Sequence, residues 1–245
     1  MDKQSNKRII AVSGASSGLG QALCVALGSE GVNIIALARD EAGLEQTQAR
    51  VEEAGGRCLC LPFDLLDFDQ YPAMYQALSE HIPHLDGLVH AAADLKRCAP
   101  MQHVKPAEFR RMLDINLAAP NLLTQTLFPF LLRASSSSVI FTACDMAEDA
   151  QANWHGYGMA KAGLVHSAAL WQLEHPSRDI RFNCLNPGRM RTRILKRAYP
   201  GLDENTIPKA ETACAAFLYL LSDKSGDIRG KYLNASELND EINSP

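Results

Sequence analysis

The feature that most constrains this chain is a short glycine-bearing turn near its start. An apolar run, Ile9 to Val12, passes directly into Ser13-Gly14-Ala15-Ser16-Ser17-Gly18-Leu19-Gly20, and a helix-patterned stretch follows. The three glycines do separate jobs. Gly14 permits a sharp reversal, Gly18 lets backbone approach a ligand, and Gly20 lets the helix lie close to the sheet. The helix start then offers unpaired N–H groups and the positive end of its dipole, which suits phosphate. Glycines populate any turn, so the cluster alone says little. Its place between the first strand and the first helix points to a dinucleotide, with Ser16, Ser17 and Leu19 completing the cradle.

Apolar runs of strand length recur at Asn33 to Ala38, Cys58 to Phe63, Leu85 to Ala91, Val139 to Thr142, Ile180 to Leu185 and Lys231 to Asn234. The first, second, fourth and fifth runs of the chain are continuously apolar, as parallel strands are when helices cover both faces. Helical spacing lies between them, for example at Leu113, Leu117, Leu123, Leu127 and Leu131. The expectation is an α/β fold: a Rossmann-type doubly wound sheet of about seven parallel strands flanked by helices. No repeat or Pro/Gly-rich linker divides the chain, so one domain is expected over residues 1–245, with its core at about residues 7–235. The serine run Ser135 to Ser138 reads as a turn feeding a strand.

Composition removes several function classes. A net charge of −4 gives no bulk attraction for nucleic acid or an anionic membrane. No run approaches the ~18 apolar residues of a membrane span. Met1 to Arg8 is polar and unlike a signal peptide, so a cytoplasmic protein is expected. The seven cysteines include no CxxC pair. Cys58 and Cys60 share one face of a strand and cannot easily bridge. Reduced thiols are expected, and no metal site is read from the histidines.

Further motifs follow in order. Asp64 stands behind the third strand, Asn116 lies in Asp114-Ile115-Asn116-Leu117, and Tyr157 and Lys161 form Tyr-x-x-x-Lys. Asn186-Pro187-Gly188 ends the sixth strand, and Thr192 follows it. With the Gly-x-x-x-Gly-x-Gly turn, this combination resembles the short-chain dehydrogenase/reductase (SDR) family over about residues 7–235. Ala152-Asn153-Trp154 and Arg191-Thr192 resemble its bacterial YciK-like oxidoreductases. The resemblance implies Asp64 and Leu65 at the adenine, Ala91 beside the cofactor, and Pro187, Gly188 and Thr192 at the nicotinamide. It also implies that Lys161 holds the nicotinamide ribose and that the Asn116 carbonyl holds a relay water. Family members pair through the helices carrying Asn116 and Tyr157, so a homodimer or homotetramer is implied.

Tyr157 and Lys161 are four residues apart, which puts them on one helix face. A phenol titrates near ~10, and a nearby ammonium is expected to lower that value. Tyr157 would then exchange a proton with a carbonyl oxygen as hydride moves. For the cofactor, an acid at the end of the second strand usually marks NAD. Here Ala38 is followed by Arg39. A guanidinium pairs with a 2′-phosphate, and Ser16 can add a hydroxyl, so NADP (NADPH) is expected. Otherwise Arg39 is a solvated charge. Pro120 lacks the N–H that would meet the Asn116 carbonyl, so a kink there is expected.

Two positions depart from the family. Cys144 occupies the place of a serine thirteen residues before Tyr157. A thiol is a weak donor, and losing one donor to a developing oxyanion costs roughly 10²–10³ in rate. Thr142 or Asp145 is a partial substitute, although alternation along a continuing strand turns Asp145 away. His90-Ala91-Ala92-Ala93 replaces an Asn-Asn-Ala-Gly-like segment. Ala91 loses the amide bonds, and His90 reads as packing at the sheet end. Arg189, Arg191, Arg193, Lys196 and Arg197 form a basic cluster, which attracts an anionic substrate or cofactor phosphates, or is a solvated face.

The leading function is NADP(H)-dependent hydride transfer to or from a small-molecule carbonyl or secondary alcohol. Tyr157, Lys161, Asn116 and a weakly polarising Cys144 would be the catalytic group. The alternative is a weakened dinucleotide-binding protein, a cofactor sensor or assembly module. A third reading makes Cys144 a redox-sensitive thiol, its thiolate favoured by Lys161.

Overall fold

A computed structural model describes residues 7–176 and 179–243. Residues 1–6, most of the polar opening segment, lie outside the described residues. The elements run in order β1 (Ile9–Ser13), α1 (Gly18–Ser29), β2 (Asn33–Ala38), α2 (Glu41–Glu53), β3 (Arg57–Pro62), α3 (Tyr71–Ser79) and β4 (Gly87–His90). Then come α4 (Pro106–Leu113), a π-helical turn (Asp114–Ala118), α5 (Ala119–Leu131), β5 (Ser137–Thr142) and α6 (His155–Glu174). The chain continues through β6 (Ile180–Asn186), α7 (Arg193–Ala198), α8 (Cys214–Leu221), β7 (Tyr232–Asn234) and α9 (Ala235–Asn243).

All seven strands pair in parallel, in the order β3-β2-β1-β4-β5-β6-β7. This is the expected doubly wound sheet. The chain reverses its winding at β1, which pairs with β2 on one side and β4 on the other. A crevice opens beyond the carboxyl ends of strands at such a reversal. β1, β4 and β5 are buried along their whole length, whereas β3 and β7 are edge strands and partly exposed. One core layer packs Leu23, Leu27, Val51 and Phe217 on one sheet face, and the other packs Leu123, Leu127, Phe130 and Leu164 on the opposite face.

Three sequence expectations need correction. Ser137 and Ser138 are buried strand residues, not a turn, because the Ser138 hydroxyl donates to the Leu220 carbonyl at 2.8 Å. The fourth run shortens to Gly87–His90, since the Leu85 amide bonds to the Phe130 carbonyl at 3.1 Å instead of a strand. The leucine period is broken as well. Leu123, Leu127 and Leu131 are core, but Leu113 and Leu117 are half-buried. The π turn between them adds a residue and shifts the helical phase. The Ala119 N–H reaches back five residues to the Asp114 carbonyl. The expected kink is thus a π-bulge, located where Pro120 cannot offer an N–H to Asn116.

Candidate active site

A cleft of about 1000 Å³ runs along the carboxyl edge of the sheet. At its first end lies the β1–α1 turn. Gly14 and Gly18 have φ of +72° and +55°, which favours glycine. A Cβ on Gly14 would lie 2.7 Å from the Ala92 backbone, so the loops after β1 and β4 touch at this point. Ser16, Ser17, Gly18 and Leu19 line the cleft with Gly14. Gly20 does not. A Cβ there would meet the Gly14 carbonyl at 2.3 Å, so its smallness serves the packing of α1 behind the turn. Ser17 precedes α1 without capping it and instead accepts from Arg193 at 2.6 Å.

Arg39, Asp64 and Leu65 line the same end. Arg39 is half-exposed and sits 3.7 Å from the Asp64 carboxylate, a loose pair. Pro187, Gly188 and Thr192 line the opposite bank. Thr192 caps α7, accepting from the Leu195 N–H at 3.2 Å, and its methyl would lie 3.6 Å from a Cβ on Gly18. The Asn186 side chain ties this bank down: it donates to Asp145 at 2.7 Å and to Asn234 at 2.9 Å, and accepts from the Gly188 N–H at 2.9 Å. Asp145 is therefore engaged on β6, and the strand that would have turned it away ends at Thr142.

Tyr157, Lys161, Cys144 and Ala91 also line the cleft. Lys161 is 2% exposed, and its Nζ donates to the Thr142 carbonyl at 2.6 Å while lying 5.5 Å from the Tyr157 ring centroid. The ammonium thus lies over the Tyr157 ring while bonded to backbone. Burial dominates here and pushes the phenol above its ordinary value, contrary to the expected lowering, while burial also lowers Lys161. The Cys144 thiol is likewise raised by burial, which outweighs Lys161 and the N–H groups of Met146 and Ala147. This reverses the thiolate reading of Cys144.

Asn116 is fully buried but is not on the cleft wall. Its side chain clamps the loop after β4, accepting from the Asp94 N–H at 3.1 Å and donating to the Asp94 carbonyl at 2.8 Å. His90 is packed as expected. It bonds to Thr124 at 2.8 Å, stacks on Phe141, and is held down to about 3 by burial and then by Lys161.

Residues 8–202 match the model of the family described as short chain dehydrogenase. The chain belongs to the short-chain dehydrogenase/reductase family. The chain is 30% identical over 233 residues to the uncharacterized oxidoreductase YciK of Escherichia coli K12, covering 94% of this chain and 92% of that one. It is similar to a short chain dehydrogenase from Escherichia coli CFT073 complexed with NADPH (TM-score 0.88, 30% identity, 94% of this chain and 97% of the other). A Shigella flexneri short chain dehydrogenase complexed with NADP matches equally well (TM-score 0.89, 30% identity, 94% and 98%). The likeness to YciK seen in the motifs therefore extends along 94% of the chain, and the protein is an oxidoreductase.

Sequence reasoning missed several residues of the cleft wall. Met146, Trp154, Ile194 and Tyr199 line the cleft beyond Tyr157. Trp154 enters the sequence reading only as a family mark, and Arg191 as a family mark and a member of the basic cluster. No periodicity signals such residues, because they come from irregular segments and a short helix brought together by the sheet.

Proposed function

We propose that the chain transfers hydride between NADP(H) and a carbonyl or secondary alcohol, with Tyr157 as the acid/base. The observation that carries this is the single cleft joining the glycine turn, Arg39 and the Tyr157–Lys161 pair. The residues fit the cofactor. Gly14 and Gly18 form a cradle that side chains would fill, Ala38 brings no acid to the end of β2, and Arg39 is free enough to meet a 2′-phosphate. Asp64 and Leu65 would border the adenine, and Ala91, Pro187, Gly188 and Thr192 the nicotinamide half. When bound, the cofactor supplies or accepts the hydride.

The Tyr157 hydroxyl, held protonated by burial, is the form that donates to a carbonyl oxygen as hydride arrives, and the phenolate takes the proton back in the reverse reaction. The Lys161 ammonium stabilises the phenolate left behind and is also the ribose anchor. Asn116 acts from behind the wall, where its carbonyl, which Pro120 cannot bond, would hold a relay water. Cys144 is beside both groups and polarises the carbonyl weakly.

Two surface properties fit the same reading. No helix among the described residues is long and apolar enough to cross a membrane, and the seven cysteines are unpaired, as in a reducing cytoplasm. Met159, Leu170 and Leu173 on α6 are exposed by 50%, 46% and 75%, which suits a homodimer or homotetramer through that helix. The test is titration with NADPH followed by its oxidation against a carbonyl panel. Binding and turnover are expected. Tight binding without turnover would favour the alternative that Cys144 and Ala91 suggest, a dinucleotide-binding sensor or assembly module.

A further inference from the structure

The two ends of the cleft have different walls. At the glycine turn, Arg193 bonds to Ser17 and Arg39 lies by Asp64, so both guanidiniums stand where the cofactor phosphates are proposed. Beyond Tyr157 the wall carries an apolar stripe. Met146, Ile194 and Tyr199 pack with Trp154, Tyr157 and the fully buried Leu95 in one cluster. Rings pass outward from Tyr157 to Trp154 at 5.5 Å and from Trp154 to Tyr199 at 6.1 Å. The Arg189 guanidinium then lies 5.7 Å from the Tyr199 ring centroid.

Arg189 is exposed, lines the cleft, and makes no ion pair with a described carboxylate. The acids on this wall are already engaged. Glu204 meets Lys196 at 2.8 Å, Asp94 meets Arg197 at 3.3 Å and Arg111 at 3.4 Å, and Asp145 accepts from Asn186. A guanidinium resting on a ring uses its face and keeps its edge N–H groups for an anion.

We propose that the substrate joins a carbonyl to an apolar body ending in a carboxylate. The carbonyl meets Tyr157, the body lies along Trp154 and Tyr199, and the carboxylate pairs with Arg189. This rests on the hydride-transfer reading above. The apolar contact supplies most of the affinity, and the solvated charge pair adds selectivity of up to about fivefold.

The test uses ω-oxo carboxylic acids of increasing chain length, each paired with its neutral methyl ester. NADPH binding is measured first, by fluorescence titration, and its failure overturns the hydride-transfer reading and this inference with it. With NADPH bound, kcat/KM for the longer acids should exceed that for their esters by about threefold to fivefold, and Arg189→Gln should bring the ratio towards one. Arg189→Lys should keep most of the preference, which separates charge from loop damage. Should no compound be turned over, tryptophan fluorescence of the NADP-loaded protein compares the affinities of acid and ester. Equal kcat/KM or equal affinity for acid and ester overturns the carboxylate proposal while leaving hydride transfer intact. A preference that survives Arg189→Gln overturns the role of Arg189.

Discussion

The cofactor end and the substrate end of the cleft are held in place by different physics. At the first, position is set by backbone. Gly14 touches the Ala92 backbone so closely that no side chain fits, and Gly20 is pressed against the Gly14 carbonyl. At the second, position is set by side chains from distant segments: Cys144 after β5, Trp154 before α6, and Arg189 and Tyr199 around α7. A backbone site tolerates little substitution, so its motif stays readable. A side-chain site keeps its shape through packing and can exchange residues, as at Cys144, without loss of the fold.

The largest expected effect tests whether the substrate end carries chemistry at all. Tyr157→Phe keeps the ring against Trp154 but removes the proton. NADPH oxidation should fall by about 10²–10⁴, while the NADPH dissociation constant shifts far less. A loss confined to binding would move Tyr157 from acid/base to cofactor wall. Next in size is Cys144→Ser. A hydroxyl in place of the raised, protonated thiol restores a strong donor, and kcat should rise by up to about a hundredfold. An unchanged kcat would mean that another group already serves the oxyanion. The Thr142 hydroxyl, buried without a partner on the same wall, is the first to examine.

Legibility followed the same divide. Seven strands and the β1–α1 turn were visible because apolar runs and glycines report local geometry, and the Tyr157–Lys161 pair was visible because helical spacing puts the two on one face. The direction of the tyrosine shift was not. It depends on how deeply the assembled fold buries the phenol, with Cys144 beside it, and no spacing encodes that. The π-bulge was half legible: Pro120 signalled a lost hydrogen bond, but the added residue in the turn appears only in the backbone. Ser137 and Ser138 misled for a related reason. Their polarity suggested a turn, while a tertiary partner, the Leu220 carbonyl, makes Ser138 acceptable in a buried strand.

A smaller effect sharpens the cofactor end. Arg39→Ala should weaken NADPH by about tenfold, the lower range for a charge-assisted contact from a half-exposed side chain, and leave NADH nearly unchanged. Dissociation constants for both cofactors decide it. Equal losses for both would assign Arg39 to holding Asp64 rather than to reading the 2′-phosphate.

The smallest effect concerns the strand shared by both ends. His90 closes β4 directly before Ala91, stacked on Phe141 and bonded to Thr124. Its folded value is lowered from 6.5 to about 3, first by burial and then by Lys161. Above the unfolded value the ring is neutral in both states and costs nothing. As pH falls below it, the unfolded chain takes up a proton that the folded chain refuses. Stability is therefore lost as pH falls from about 6.5 towards 3, by at most about 1.4 kcal/mol per pH unit from this group. His90→Gln removes the titration, so its stability should decline less steeply than that of the parent chain between neutral and mildly acidic pH, in denaturant melts at each pH. Parallel slopes would show that the His90 ring is not held neutral, and that the wall between the two ends is less rigid than its packing implies.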